Sequence, residues 1–166
     1  MPASEPRQIP FHGVRLRFDS EKTFDELVEA LLSDVGHEPV MIDAIASTST
    51  DWKSYQERVE SHVGPSGFML FALFDHGAWI SKAGIGRKAL RVIIGNPLIA
   101  ITMLRHDVTA GLFAPVELLV VDEDGGHTSL TYVQPSSLMV VETNAPLLAA
   151  ARALDAKLAA LASTIA

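Results

Sequence analysis

The chain has 166 residues, about the length of one domain, and its 48% apolar and 20% charged residues form a globular balance that argues against disorder. The net charge of −7 argues against general attraction to nucleic acid or anionic lipid, and the absence of cysteine excludes disulfides, thiol nucleophiles and cysteine-ligated metals. The N-terminus lacks a secretory apolar segment, and no apolar run reaches the roughly 18–20 residues of a membrane helix, so we expect a cytoplasmic protein.

The first half of the chain predicts, in order, a strand, a helix, a strand and a short helix. Strict alternation over 14–18 predicts a half-buried strand with both of its arginines on one face. Apolar residues at helical spacing over 24–35 predict a helix, and a glycine follows in the C′ position. Residues 39–46 are predicted to form a second strand. Asp51 is a good N-cap for the short helix that follows, which Gly64 ends.

The second half is more apolar and predicts four strands and two helices. The predicted strands are 68–74, 89–94, 113–122 and 127–133. Asn96, followed by proline, predicts the start of a helix that runs to about Ala110. An acidic, glycine-rich turn joins the last two strands as a hairpin. A final helix follows Thr143 or Asn144, with apolar residues at spacings of four and three up to Ile165.

The resulting order is β-α-β-α-β-β-α-β-β-α, with a flexible tail over 1–11 and a single domain over 12–166. Hairpins with interspersed helices predict an α+β fold, in which helices pack on a mostly antiparallel sheet. The strand 68–74 is apolar on both faces, and the helix from Pro97 is apolar nearly all round. The chain therefore either dimerises or holds an apolar ligand. Self-association is the commoner use of such surface, so we expect a homodimer whose interface includes 68–74 or 97–104.

The helix start at Asn96 also favours an anion, because backbone N–H groups and the positive end of the helix dipole meet there. The segment between His76 and His106 contains five cations and no carboxylate, so it carries +5 and the rest of the chain −12. The five cations are Lys82, Arg87, Lys88, Arg91 and Arg105. This local basic field would attract a small anionic molecule. The alternative is that Asn96 only caps its helix and the cations only face water.

We therefore expect a ligand site near the Asn96 helix start. Its predicted lining residues are His76, Trp79, Arg87 and Arg91, with His106 and Ser136 as further candidates. Met103 and His106 share a helix face and with His76 would form a soft metal site, but a methionine in an apolar helix is more often a core residue. No metal site and no cofactor are predicted.

Several runs resemble the domain-of-unknown-function family 302 over about residues 14–165. The runs that carry the resemblance are Gly95-Asn96-Pro97-Leu98, Leu112 to Pro115, Val116 to Val121 before the acidic-glycine turn, and Tyr132 with Pro135 to Leu138. The resemblance implies a homodimer and a compact α+β fold, similar to the curved-sheet class that contains the TATA-box-binding protein domain. It implies no activity. Family members often place a cysteine before the Asn-Pro pair, and Gly95 stands there in this chain, which puts any thiol role in doubt.

Three functions remain open from the sequence. The first is a homodimeric domain that binds a small anionic molecule. The second is an acid–base enzyme, a hydrolase or isomerase, that uses His76 or His106. The third is a structural or interaction module without a ligand. A pocket with several of the polar candidates favours the first two, convergence of the two histidines favours the enzyme, and scattered histidines beside a flat apolar face favour the module.

Overall fold

A computed structural model describes residues 5–166. Five strands form one sheet: Arg15–Ser20 (β1), Met69–Asp75 (β2), Ala89–Gly95 (β3), Val116–Asp122 (β4) and Thr128–Val133 (β5). Their spatial order is β1-β5-β4-β3-β2, and every neighbouring pair is antiparallel. The predicted α+β fold with a mostly antiparallel sheet is therefore confirmed.

Seven helices accompany the sheet. They are Phe24–Val35 (α1), Ile42–Thr48 (α2), Trp52–Glu60 (α3), His76–Ile80 (α4), Pro97–Leu104 (α5), Pro135–Met139 (α6) and Ala145–Ile165 (α7). Short 3₁₀ turns lie at Ser81–Ala83 and Val108–Phe113. Asp51, Asn96 and Asn144 cap α3, α5 and α7 through their side-chain oxygens, as the sequence predicts.

The strand predicted over 39–46 is wrong, so the sheet has five strands and not six. Val40 hydrogen-bonds to the sheet, where its N–H donates to the carbonyl of Leu70 at 2.8 Å. The chain then turns into α2, which buries Ile45 against Val59 and Met69. Alternate residues from 40 to 46 are apolar, as in a strand, whereas Ile42 and Ile45 are three apart and fit one helical turn. Contact with α3 decides between the two.

The helix that begins at Asn96 is shorter than predicted. It ends at Leu104, and Asp107 then accepts the N–H of Thr109 to start the 3₁₀ turn that occupies the rest of the predicted helix. Because this 3₁₀ turn extends to Phe113, β4 begins at Val116 and not at residue 113. A short side chain that accepts a local backbone N–H competes with the helix for the same donors.

One face of the sheet carries the main core. Val92, Ile94, Leu118, Val120 and Leu130 are buried there in one cluster with apolar residues of α1, α5 and α7. All six apolar positions predicted along the last helix are buried. They are Leu147, Ala151, Leu154, Leu158, Leu161 and Ile165.

The opposite face is covered at one corner only. There α2 and α3 bury Met69 at the start of β2 in a smaller second cluster. Over β1, β5 and β4 the same face is open, with Arg15, Arg17 and Glu117 exposed and Leu119 half-buried. This uncovered area of sheet is called the open face below.

The residues that precede β1 have no helix or strand from Glu5 to Val14. Arg7 pairs with Glu142 at 3.1 Å, and the Phe11 ring lies edge-on to Phe113 with centroids 6.0 Å apart. Of the tail predicted over 1–11, residues 1–4 lie outside the described residues. The division into a flexible tail and a single domain stays a prediction.

Candidate functional site

A groove of about 500 Å³ lies on the open face. Its charged or titratable side chains are Arg15, Arg17, Arg91, Glu117, Glu123 and His76. Leu119, Val121 and Thr131 also line it. The groove thus places cations over a partly apolar sheet surface.

Strand alternation puts these side chains on one face, and strand pairing puts them in one row. Arg17 is opposite Thr131, Thr131 is opposite Leu119, and Leu119 is opposite Arg91. Neighbouring strands lie about 4.8 Å apart, so the backbones of Arg17 and Arg91 are about 14 Å apart across this row. Phe74 continues the row on β2, and the guanidinium of Arg91 lies 5.6 Å from the centre of its ring.

Carboxylates neutralise part of this positive charge. Arg91 donates to Glu117 through Nε at 3.1 Å, and Arg17 pairs with Glu123 at 3.2 Å. Arg15 has no ion-pair partner within residues 5–166 and is exposed. Counting Arg15, Arg17 and Arg91 against the two glutamates, the lining carries +1 with His76 neutral, and Asp19, which pairs with Arg17 at 2.7 Å beside the groove, offsets this charge.

Glu123 is held ionised at the border of the groove. The Ser129 hydroxyl donates to it at 2.7 Å, and Arg87 donates to it at 3.0 Å. The hydrogen bond from Ser129, followed by the charge of Arg17 and the bond and charge of Arg87, lowers the pKa of Glu123 against a smaller opposing effect of burial. Glu123 therefore remains an anion that fixes Arg17 and Arg87.

Two of the seven predicted site residues line the groove, and two more contact residues of its lining. His76 and Arg91 line it. Trp79 donates its indole N–H to His76 Nδ1 at 3.2 Å, which leaves the Nε2 side of the imidazole as its remaining polar edge. Arg87 holds Glu123 and the carbonyl of Asp122. These residues come together because α4 follows β2 directly, beside β3, which carries Arg91 and which Arg87 precedes by two residues.

Asn96 follows the last residue of β3, at the far end of this strand from His76 and Arg87. At about 3.4 Å per residue, β3 spans roughly 20 Å. The Asn96 amide donates to the carbonyl of Gly67 at 2.9 Å, and its side-chain oxygen accepts the N–H of Leu98 at 2.8 Å. The N–H groups of Ile99 and Ala100 donate to the Asn96 carbonyl. The expectation that this helix start offers free N–H groups is therefore wrong, because the helix and its cap already use them.

His106 and Ser136 are also remote from the groove. His106 is exposed after α5, and its carbonyl accepts a hydrogen bond from Asn144 at 3.3 Å. Ser136 begins α6, where its backbone N–H donates to Asp155 at 3.0 Å. His76 lies beside the first residues of β3. His106 comes after α5, the helix that follows the last residue of β3, so the two histidines lie at opposite ends of the strand and do not converge.

The suggested soft metal set does not assemble either. Met103 is buried, at 1% exposure, whereas His106 faces solvent, so the two side chains do not share a site. Within residues 5–166, no group of three or more histidine, aspartate and glutamate side chains is placed to hold a metal ion. Met103 is a core residue, as the alternative interpretation of the sequence had it.

Sequence reasoning missed the groove residues contributed by β1, β4 and the hairpin. The alternation over 14–18 placed Arg15 and Arg17 on one face, and this was the available signal. Nothing in the linear sequence placed that strand beside β5, or Arg17 in one row with Arg91.

Two comparisons concern the family and the fold. The family described as "Domain of unknown function DUF302" matches residues 44–165. The crystal structure of an uncharacterized conserved protein DUF302 from Bacillus stearothermophilus superposes with a TM-score of 0.65 at 18% identity, over 92% of this chain and 98% of that one. At this identity the structure supports the fold alone.

Curated relatives give a different name. Fluoride-specific ion channel FluC 1 of Brucella suis is 32% identical over 83 residues, which are 49% of this chain and 33% of that protein. FluC 1 of Brucella abortus and FluC 2 of Brucella melitensis are also 32% identical, each over 31% of its length. The chain therefore spans about a third of the curated relatives it matches. In the part of the chain that the structure describes, no helix is long and apolar enough to cross a membrane.

Proposed function

The chain belongs to the DUF302 family, whose description assigns no activity. From the groove on the open face, we propose that it is a homodimeric domain that binds a small anionic molecule there. The proposal keeps His76 and Arg91 as ligand-contacting residues, with Trp79 and Arg87 supporting them. It moves the site from the Asn96 helix start to the sheet.

The row from Arg17 to Arg91 carries this proposal. Two guanidinium groups flank Thr131 and Leu119 across about 14 Å of sheet. A carboxylate or phosphate accepts two parallel hydrogen bonds from one guanidinium. An apolar segment attached to the acid would cover Leu119 and Val121. The chemical class is therefore an amphipathic organic acid.

The existing ion pairs do not block such a ligand. Each guanidinium has five N–H donors. Arg17 divides its donors between Asp19 and Glu123, Arg91 pairs with Glu117, and both keep N–H groups beyond these contacts. The Arg91–Glu117 pair is partly exposed, and such pairs contribute only about 0–1 kcal/mol to stability. A ligand carboxylate that takes over part of this pairing therefore costs the protein little.

Thermal-shift measurements with octanoate test the groove. Octanoate should raise the Tm of the wild type, because a ligand that binds only the folded state stabilises it by mass action. The double variant Arg17→Gln, Arg91→Gln should lose the shift. Arg152→Gln, which changes an exposed arginine on α7, should keep it. An equal shift in all three proteins would refute the groove as the site. A folded dimer that binds no acid in an anion screen would favour an interaction module.

We place the contact between the two copies of the homodimer at one end of the groove, the end that β2 and α4 form. Phe74, Trp79 and Ile85 are 48%, 60% and 50% exposed, and all three come from this short segment. Within the segments predicted for the interface, Phe74 is the large apolar side chain that remains exposed, since the apolar side chains of α5 are half-buried or buried. A twofold contact would cover this patch with its own copy.

Light scattering tests this assembly. The wild type should show about twice the chain mass of 17.9 kDa, and Phe74→Ser with Trp79→Ser should reduce it to the monomer. Leu112→Ser, at an 81% exposed position of the second 3₁₀ turn, is the matched control and should remain dimeric. A monomeric wild type, or a double variant that still dimerises, would reject the interface.

The Brucella relatives favour a second candidate, a domain that acts beside an ion channel and binds fluoride as its small anion. Guanidinium N–H groups are suitable donors to a halide as well as to an acid. Sodium fluoride should then raise the Tm more than sodium chloride at equal ionic strength, and Arg17→Gln with Arg91→Gln should abolish the difference. Equal shifts with the two salts would exclude this candidate.

A further inference from the structure

A second cavity lies away from the groove, where α5 leaves the end of β3. It has a volume of about 180 Å³. Its walls include Phe68, Phe71, Ile99, Ala100, Met103 and Leu154. These residues come from the β2 segment, α5 and α7, so the cavity lies between layers of the fold.

The lining offers no unused polar side chain. Within residues 5–166, no charged side chain lines the cavity, and Asn96 is its polar side chain. The Asn96 amide already donates to Gly67, and its oxygen already accepts from Leu98. The cavity is open to solvent on one side. A polar or charged group seated against its walls would lose hydrogen bonds to water and gain none from the lining, which is unfavourable.

Gly95 shapes one wall of this cavity. A Cβ at this position would lie 2.9 Å from the Phe71 ring and 3.1 Å from Pro115, so only glycine lets those two rings approach as they do. Phe68 and Met103 on other walls are 1% exposed and packed in the core. This packing holds the walls of the space in place, and an apolar space of this kind is one that small apolar molecules can fill.

We propose that this cavity binds a small, uncharged apolar molecule of about the size of toluene. An enclosed apolar cavity of about 150 Å³ accommodates benzene, and the present cavity, which opens to solvent on one side, has a volume of about 180 Å³. The proposal also accounts for the composition of α5. Ile99 and Ala100 need not be covered by core or by a second copy, because they line a site that an apolar ligand completes.

Methyl NMR on the wild type provides the first test. Toluene should shift the methyl signals of Met103 and Ile99, and it should leave Met139, which lies outside the cavity, unchanged. Benzoate, a charged molecule of similar size, should not shift them. Equal effects of toluene and benzoate on Met103, or no effect of toluene at saturation, would overturn the proposal.

A filled cavity provides the second test. Ala100→Leu should weaken toluene binding at least tenfold, whereas Ala160→Leu on the exposed side of α7 should not change it. The variant Arg17→Gln, Arg91→Gln should also bind toluene normally, which separates this site from the groove. If the wild type is a dimer that ignores toluene and Ala100→Leu makes it monomeric, a second copy fills the cavity and the ligand proposal is wrong.

Discussion

Asn96 connects the start of α5 to the loop that precedes β2, and this connection makes a quantitative prediction. Replacing it with alanine removes two interactions: the cap on the Leu98 N–H and the bond to the Gly67 carbonyl. Loss of an N-cap costs about 1 kcal/mol. Leaving the half-buried Gly67 carbonyl without its donor costs about 1 kcal/mol more. Asn96→Ala should therefore destabilise the fold by about 2 kcal/mol.

Serine at the same position separates the two contributions. Its hydroxyl can still cap Leu98 but cannot reach Gly67, so Asn96→Ser should cost about 1 kcal/mol. For a chain of this length, each kcal/mol lowers the Tm by roughly 2–4 °C. We therefore expect losses of about 4–8 °C for alanine and half as much for serine. Thr23→Ala, which removes an ordinary cap from α1, is the control and should match serine.

Urea denaturation with the midpoint and slope fitted together measures these differences, since an unchanged slope shows that stability alone has changed. If serine and alanine at position 96 are equally destabilising, the cap contributes nothing. If serine behaves as wild type, the bond to Gly67 contributes nothing. If Asn96→Ala leaves the Tm unchanged but abolishes the octanoate shift, Asn96 is a ligand residue and the structural account is refuted.

Two further predictions concern single positions. Since the folded-state pKa of Glu123 is lowered from its ordinary 4.5, mainly by Ser129, its ionised form stabilises the fold above that pH and this stabilisation disappears as the pH falls. The stability difference between wild type and Glu123→Gln should thus be largest at pH 7 and vanish at low pH in urea titrations; a difference constant with pH would contradict this. At Gly64, a Cβ would lie 1.9 Å from the backbone oxygen of Asp34, so Gly64→Ala should destabilise by at least 1–3 kcal/mol, whereas Gly86→Ala, which points into open space, should be close to neutral by thermal denaturation.

The sequence alone determined the elements whose signals are local. A cap, a helical stripe and a terminator are all short-range features, so α1 could be predicted from its apolar stripe, and α3 and α7 with their caps as well. The β4–β5 hairpin follows in the same way from its acidic-glycine turn. Local rules failed at residues 39–46, where alternate apolar residues suit a strand but the pair Ile42 and Ile45 suits a helix, and burial of Ile45 against α3 decided the outcome.

The candidate site depended on contacts between distant segments. Asn96 was correctly identified as a cap from its neighbours, but the use of its amide by Gly67, 29 residues earlier, could not be read from the sequence. Arg17 and Arg91 are 74 positions apart in the chain, and only the strand order β1-β5-β4-β3 aligns them across one row. Strand order depends on the free energy of the whole packed sheet, to which residues far apart in sequence contribute together. Alternation therefore fixed which face these arginines occupy, and the tertiary structure alone decided what lies beside them.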